Sequence, residues 1–447
     1  MFSESLRNHA FLAATLACQA TARPAWIFGL GGNGGPEPVS INSTLPVRSL
    51  GSLTLSDPGF AAVLPQDGQD TLFVSSFHAF GDDYVYRIND VSKAVASGSS
   101  SNAASVGISA LTATHVPGSV TWPNDVTAAP KELFGSDGVV VGGGFLVPGK
   151  SDGGLYFSPS ANGASGDFVE LYSQSGWFYH RALFADVDND GKLELVSCRA
   201  NKPIFGATGT MLVYLKPKDA SNPTGEWVET ELGAGCDALF TVADLNNDGK
   251  PEVIAAGYFT SQLNLFYSAA STGFANAADV KMVTLDSSIG AAFDVQVTDV
   301  NGDGKVDLLV SNHQGGGADP SGSVYAYEIP SDITNVSAYV RHTLATGFPV
   351  TQGGFNQASP GSPVAFHPTP EKKSGPAYIA LAGDAAQMAY VLVPGSDAWS
   401  YSVTMLHDCG CTVGKLAVAD INNDGYAEVF VPCYDAGVLA AYSFSPA

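Results

Sequence analysis

Four near-copies of one segment set the terms for this chain: FADVDNDGKLELVSC from Phe184, VADLNNDGKPEVIAA from Val242, VTDVNGDGKVDLLVS from Val297 and VADINNDGYAEVFVP from Val418. Their first aspartates, Asp186, Asp244, Asp299 and Asp420, are 58, 55 and 121 residues apart. The last gap is two periods, which places a degenerate copy near residue 365, in SPVAFHPTPEKKSGPAYIALAG, with its acidic loop lost. Two more degenerate copies lie upstream, AAVLPQDGQDTLFVSSF and VTAAPKELFGSDGVVVGGG. A unit of this length cannot bury its apolar face alone, so the seven units must stack on one another.

Each unit keeps one internal order. A short apolar strand leads into the Asp/Gly loop, a β-branched strand such as Glu194–Cys198 follows, and a third strand ends in aromatics, as in Leu212-Val-Tyr-Leu. Several units add a fourth, for example Trp227–Leu232. Four short strands per unit and no sustained helical period predict an all-β fold, a seven-bladed β-propeller. The final unit stops after its third strand, while a strand-like segment, Val47–Leu55, precedes the first. That segment is expected to complete the last blade and leave no open sheet edge at the seam. A linear solenoid would need capping units that the sequence lacks. The propeller is expected over 46–447, after a linker at 23–45.

The N-terminus has the pattern of a secretory signal peptide over 1–22: Arg7, an apolar stretch from Ala10 to Ala17, and Ala20-Thr21-Ala22 as a cleavage site. The protein is therefore expected to be secreted and monomeric. Asn42-Ser-Thr and Asn335-Val-Ser fit the glycosylation acceptor. With 43 acidic against 20 basic residues, a net charge of −23 repels nucleic acid and anionic membranes. Without Cys18, five cysteines remain, and disulfides are the default outside the cell. Cys198 is expected to pair with Cys236, and Cys433 with Cys409 or Cys411, leaving one thiol over.

The acidic loops place side-chain oxygens at positions 1, 3, 5 and 9. The sets are Asp186, Asp188, Asp190, Glu194; Asp244, Asn246, Asp248, Glu252; Asp299, Asn301, Asp303, Asp307; and Asp420, Asn422, Asp424, Glu428. Alternate residues of a tight loop can converge on one hard cation, which takes six to eight oxygens. These are not EF-hands, because position 12 holds Ser197, Ala255, Val310 and Val431. The loops resemble the FG-GAP/VCBS repeats of integrin-α-type propellers. That resemblance implies Ca²⁺ bound between the first and second strands of a blade, in a structural role.

The loops share one face of the disc, so residues entering first strands or leaving second strands lie on the other, about 20 Å away at about 3.3 Å per residue. There the sequence places His78, Trp122, Asn124, Tyr179, His180, Arg181, Arg199, Lys202, Asp237, Tyr258, His313, Asn356 and Gln357. Arg181, Arg199 and Lys202 beside three histidines predict a cationic funnel on an acidic body, suited to a uronate-bearing carbohydrate. β-Elimination needs a base for the proton α to the carboxylate and cations for the developing enediolate. His180 or His78 would be the base, with His313 a further candidate, and Arg181 with Arg199 would clamp the carboxylate. Trp122, Asn124, Tyr179, Lys202, Asp237, Tyr258 and Gln357 would bind the substrate. The contexts FHAFGDD, WPND and FYHRALFADVD are similar to those of secreted fungal sugar-eliminating propellers, the rhamnose–glucuronate lyases and the propeller portion of aldos-2-ulose dehydratases. A non-catalytic lectin-like propeller and an adhesion module are the alternatives. No nucleophile elbow, P-loop, dinucleotide fingerprint or HExxH motif occurs.

Overall fold

The computed structural model describes residues 40–42, 45–95, 107–147, 149–202, 207–237, 239–313, 321–349 and 359–446. The signal-peptide segment and Gln357 lie outside them. Seven antiparallel sheets follow one another round a ring. Blade three, Phe178–Ala185, Glu194–Asn201, Gly209–Pro217 and Trp227–Gly233, shows the plan, strands running in chain order from axis to rim. Blade four (from Leu239–Ala243) and blade five (from Ala292–Thr298) repeat it. The degenerate units form blades one, two and six, beginning at Pro58–Gln66, Val126–Ala128 and Pro363–Phe366.

Second strands are buried end to end, as at Glu252–Gly257 and Glu428–Cys433, because each lies between two neighbouring blades. Fourth strands at the rim are more exposed, as in Val280–Asp286, where Leu285 alone is buried. The hydrophobic core is correspondingly divided among the blade interfaces. One cluster joins Leu72 and Val74 of blade one to Phe430 and Leu439 of blade seven. Six others fill the remaining seams.

The closing strand is Arg48–Thr54, which pairs antiparallel with Val438–Ser443 and becomes the outer strand of blade seven. Just before it, Ile41–Asn42 adds a short parallel strand to Tyr401–Asp408 of blade six. The segment expected to be a linker therefore contributes a strand to blade six. Disulfides Cys198–Cys236 and Cys409–Cys433 staple blade three to four and blade six to seven, and Cys411 keeps a buried thiol.

Leu50, 2 % exposed, is the apolar anchor of the closing strand. Leu50→Ala is expected to cost about 2–5 kcal/mol, as large-to-small core changes do. Denaturant unfolding should show that loss, and a change below about 1 kcal/mol would mean that closure does not hold the ring.

Candidate functional site

The four acidic loops share one geometry. In each, both oxygens of the first aspartate accept backbone N–H bonds from positions 5 and 6: Asp186 from Asp190 (3.0 Å) and Gly191 (2.8 Å), and likewise Asp244, Asp299 and Asp420. The chain turns left-handed twice, at Asn189, Asn247, Gly302 and Asn423 and again at Gly191, Gly249, Gly304 and Gly425, which explains why only Asn or Gly occupies position 4 and only Gly position 6. The ninth residue is buried in every copy and accepts from the second, as Glu252 does from Leu245 at 2.9 Å. Burial, with neighbouring carboxylates adding to it, pushes Glu194, Glu252 and Glu428 up to about 7 and Asp307 up to about 6. In blades four, five and seven the donor set, three carboxylates and one amide oxygen, fits calcium. In blade three a lysine from the third strand, Lys216, enters the set.

At the axis stands Arg181. Its Nε donates to Asp125 (2.7 Å), its two terminal nitrogens bind Asp294 in a bidentate fork (2.8 and 3.0 Å), and Nη1 also reaches the Phe240 carbonyl at 2.9 Å. Lys415 holds the other side of Asp125 at 2.7 and 2.9 Å. The network thus ties blades two, three, four, five and seven together. Although burial opposes its ionisation, Lys415 and Arg181 hold the Asp125 carboxyl well below the usual carboxylate range. Burial likewise works against the Arg181 charge, but Asp294 and Asp125 outweigh it.

Above this floor runs a collar of rings. Successive centroids are 5.3 Å (Tyr434–Phe77), 4.7 Å (Phe77–Trp122), 5.2 Å (Trp122–Phe145), 5.5 Å (Phe145–Phe178), 6.4 Å (Phe178–Phe259), 5.2 Å (Phe259–Tyr258), 5.6 Å (Tyr258–His313) and 3.7 Å (His313–Phe293) apart. Blades seven, one, two, three, four and five each contribute. Blade six contributes Asp384, whose Oδ2 is 3.4 Å from His313 Nε2. His313 Nδ1 faces the Pro360 carbonyl at 2.8 Å. A carbonyl only accepts, so Nδ1 carries the proton and Nε2 presents its lone pair towards Asp384. Burial pulls His313 down to about 4, and burial with Asp435 nearby pushes Asp384 up to about 7.

The FG-GAP-like repeat family matches residues 244–310, from the first loop aspartate of blade four through the second strand of blade five. That segment is an FG-GAP-like repeat. The same loop geometry in blades three and seven extends the likeness beyond the matched residues, on a seven-bladed propeller. No curated protein matches the chain in sequence. Among solved structures, the N-terminal domain of Nup159 is similar at TM-score 0.46 and 11 % identity, covering 92 % of this chain and 99 % of that one. A chain of the S. cerevisiae complex of a Dbp5 variant with Nup159, a Gle1 variant, IP6 and ADP gives TM-score 0.47 and 10 % identity, over 92 % of this chain and 99 % of that one.

On the face away from the FG-GAP-like loops the structure gathers His180, Trp122, Tyr258 and His313, and it separates others. His180 is buried in T-shaped contact with Phe60 and Phe145, and among the described residues its Nδ1 has no hydrogen-bond partner. Burial pulls it down to about 4. His78 is half-buried and its Nδ1 accepts from the Phe80 amide at 3.1 Å. The cationic funnel and the arginine pair read from the sequence are corrected here. Arg181 is spent on two aspartates, and Arg199 lies within its own blade, stacked 4.4 Å from Trp177 and paired with Glu229 (3.1 Å) and Glu231. Tyr179 points the same way, donating to Glu229 at 3.2 Å. Asp237 caps the turn at Tyr258 and Phe259 (2.9 and 2.8 Å), and Asn124 donates to the Gly144 and Tyr179 carbonyls at 3.0 and 2.9 Å. Lys202 stands exposed, 5.4 Å above the Phe259 ring. Sequence reasoning missed Asp125, Asp294, Lys415, Asp384 and most of the collar. A bulge between Tyr179 and Ala182 turns Arg181 to the axis, and strand alternation alone does not reveal it.

Two predictions follow from the floor. Arg181→Ala leaves the buried Asp294 carboxylate without its cation and Asp125 with Lys415 alone, and should cost about 3–5 kcal/mol, read by chemical unfolding. A histidine buried neutral takes up a proton only on unfolding, so stability should fall as pH drops from about 6.5 to about 4. His180→Phe should flatten part of that slope, and an unchanged pH profile would contradict its burial.

Proposed function

We propose that this is a secreted, calcium-stabilised propeller that binds a carbohydrate in its funnel and acts on it as a lyase. The aromatic collar carries the reading. Rings side by side, of which Phe77, Phe145, Tyr258, Phe259 and Phe293 stay partly exposed, suit the apolar faces of sugar rings, and those faces need no charge from the protein. The chemistry centres on His313. Near neutral pH its imidazole is uncharged, and Nε2, 3.4 Å from Asp384 Oδ2, would take the proton α to a uronate carboxylate once substrate displaces that contact. As the C–O bond at the β carbon breaks, the Tyr258 phenol, which burial keeps protonated, would return a proton to the leaving oxygen. Lys202, at the collar's rim, would offer charge to the carboxylate in place of the two committed arginines.

A non-catalytic carbohydrate-binding propeller is the second reading. It is favoured by one observation: both buried arginines nearest the expected clamp already hold carboxylates of their own.

Incubation with rhamnosyl-glucuronate gum side chains should yield an unsaturated uronate, seen by its ultraviolet absorbance. His313→Ala should slow that reaction by about 10²–10⁴-fold, the usual contribution of a general base. Trp122→Ala should weaken binding. Retention of sugar by the collar with no product would favour the second reading, and no retention at all would remove both. For the calcium part, chelation should lower the melting temperature, since an ion bound only to the folded state stabilises it. An unchanged melting curve would remove that part alone.

A further inference from the structure

The blade-three loop departs from its three copies in two ways that answer each other. It has aspartate at the third position: Asp188 stands where the others have Asn246, Asn301 and Asn422, giving four carboxylates instead of three. It is also the loop faced by a lysine. Level with the ninth loop position, the third strand presents Lys216 in blade three, one residue beyond the Leu195–Leu215 pair. The corresponding residues are Tyr267, Glu328 and Ser443 in blades four, five and seven.

The Lys216 ammonium reaches into the oxygen set. Its Nζ is 2.9 Å from Asp190 Oδ2 and 3.2 Å from Glu194 Oε1, and it is paired with Asp188 as well. Ligand atoms of Asp186, Asp188 and Glu194 lie within 4.8 Å of one another, so the space is of cation size. A lysine that merely offset the extra aspartate would need Asp188 alone. This one also engages the fifth and ninth positions, with three N–H donors for three carboxylates. By contrast, Lys250 in blade four pairs with Asp248, at 3.1 Å, from within its own loop.

We infer that Lys216 is the resident cation of blade three: its ammonium takes the place that calcium has in blades four, five and seven, so the protein binds three calcium ions and not four. Calcium needs six to eight oxygens. An ammonium among the same oxygens repels the ion and occupies lone pairs that it would use. The tethered charge also pins its turn whatever the calcium concentration outside. Among the described residues one Asp188 oxygen is buried without a hydrogen-bond partner, a foothold for an ion once the lysine is gone.

The inference rests on the calcium reading of the other three loops, and the test separates the two. Calcium bound per chain is counted by calorimetry and by metal analysis after dialysis, on the full protein. Three ions in the wild type and four in Lys216→Gln are expected. Hydrogen exchange, read blade by blade, gives an independent measure. On chelation, amides of 244–252, 299–307 and 420–428 should lose protection, while those of 186–194 should not. In Lys216→Gln the blade-three amides should become chelator-sensitive too. Four ions in the wild type, or chelator-sensitive wild-type 186–194 amides, would overturn the role of Lys216 and leave calcium standing. Three ions in a folded Lys216→Gln would overturn it as well. No bound calcium in the wild type would overturn both. Should Lys216→Gln fail to fold, the wild-type count and exchange pattern still decide.

Discussion

A ring of blades is only as stable as its last joint. Each blade buries its faces against two neighbours, so a single unsealed seam would expose two buried second strands and a sheet edge together. Here the joint is made by main-chain hydrogen bonds between Arg48–Thr54 and Val438–Ser443, with Leu50 filling the seam between blades seven and one. Because the two ends of the chain meet in one sheet, the blades between them cannot spread. The disulfides reinforce two other seams, and the short strand at Ile41–Asn42 thickens the blade next to the closure.

Closure creates the axis, and the axis creates an electrostatic problem. First strands from every blade converge there, and five blades contribute to the network around Arg181. Burying a guanidinium, an ammonium and two carboxylates is costly unless each is paired and hydrogen-bonded, and here each is. The consequence for function is direct. Charge that looked available for a ligand is used within the fold, Arg181 between blades and Arg199 within its own, and what surrounds the axis is a ring of aromatic side chains with a His–Asp pair at one corner.

The two faces of the disc also differ in how they manage cations. On the loop side, oxygen sets are built by local turns, each within a single blade, and neighbouring blades only brace them, as the Ser271 carbonyl does in accepting from Asn189. On the funnel side nothing is local. The collar needs six blades to assemble, and Asp384 meets His313 only because blades five and six abut.

The legibility of the sequence follows that division. Spacing of the aspartates placed the degenerate blade near residue 365, likeness to the repeat added the two upstream copies, and the strand order within each unit assigned Val47–Leu55 to the closure of blade seven, because period and strand alternation are properties of neighbours in the chain. The loop residues were legible for the same reason: Asn and Gly at fixed positions answer to backbone angles inside one turn. The partners of Arg181 and Arg199 were not. Asp294 lies more than a hundred residues from Arg181, and a one-residue bulge decides whether a side chain entering the first strand turns to the axis or into its own blade. Lys216 shows both halves at once: its place in the third strand is written in the sequence, but only the pairing register brings its ammonium among the oxygens of a loop some twenty residues earlier in the chain. Local periodicity determined the architecture, and long-range strand pairing decided which charges remain for chemistry.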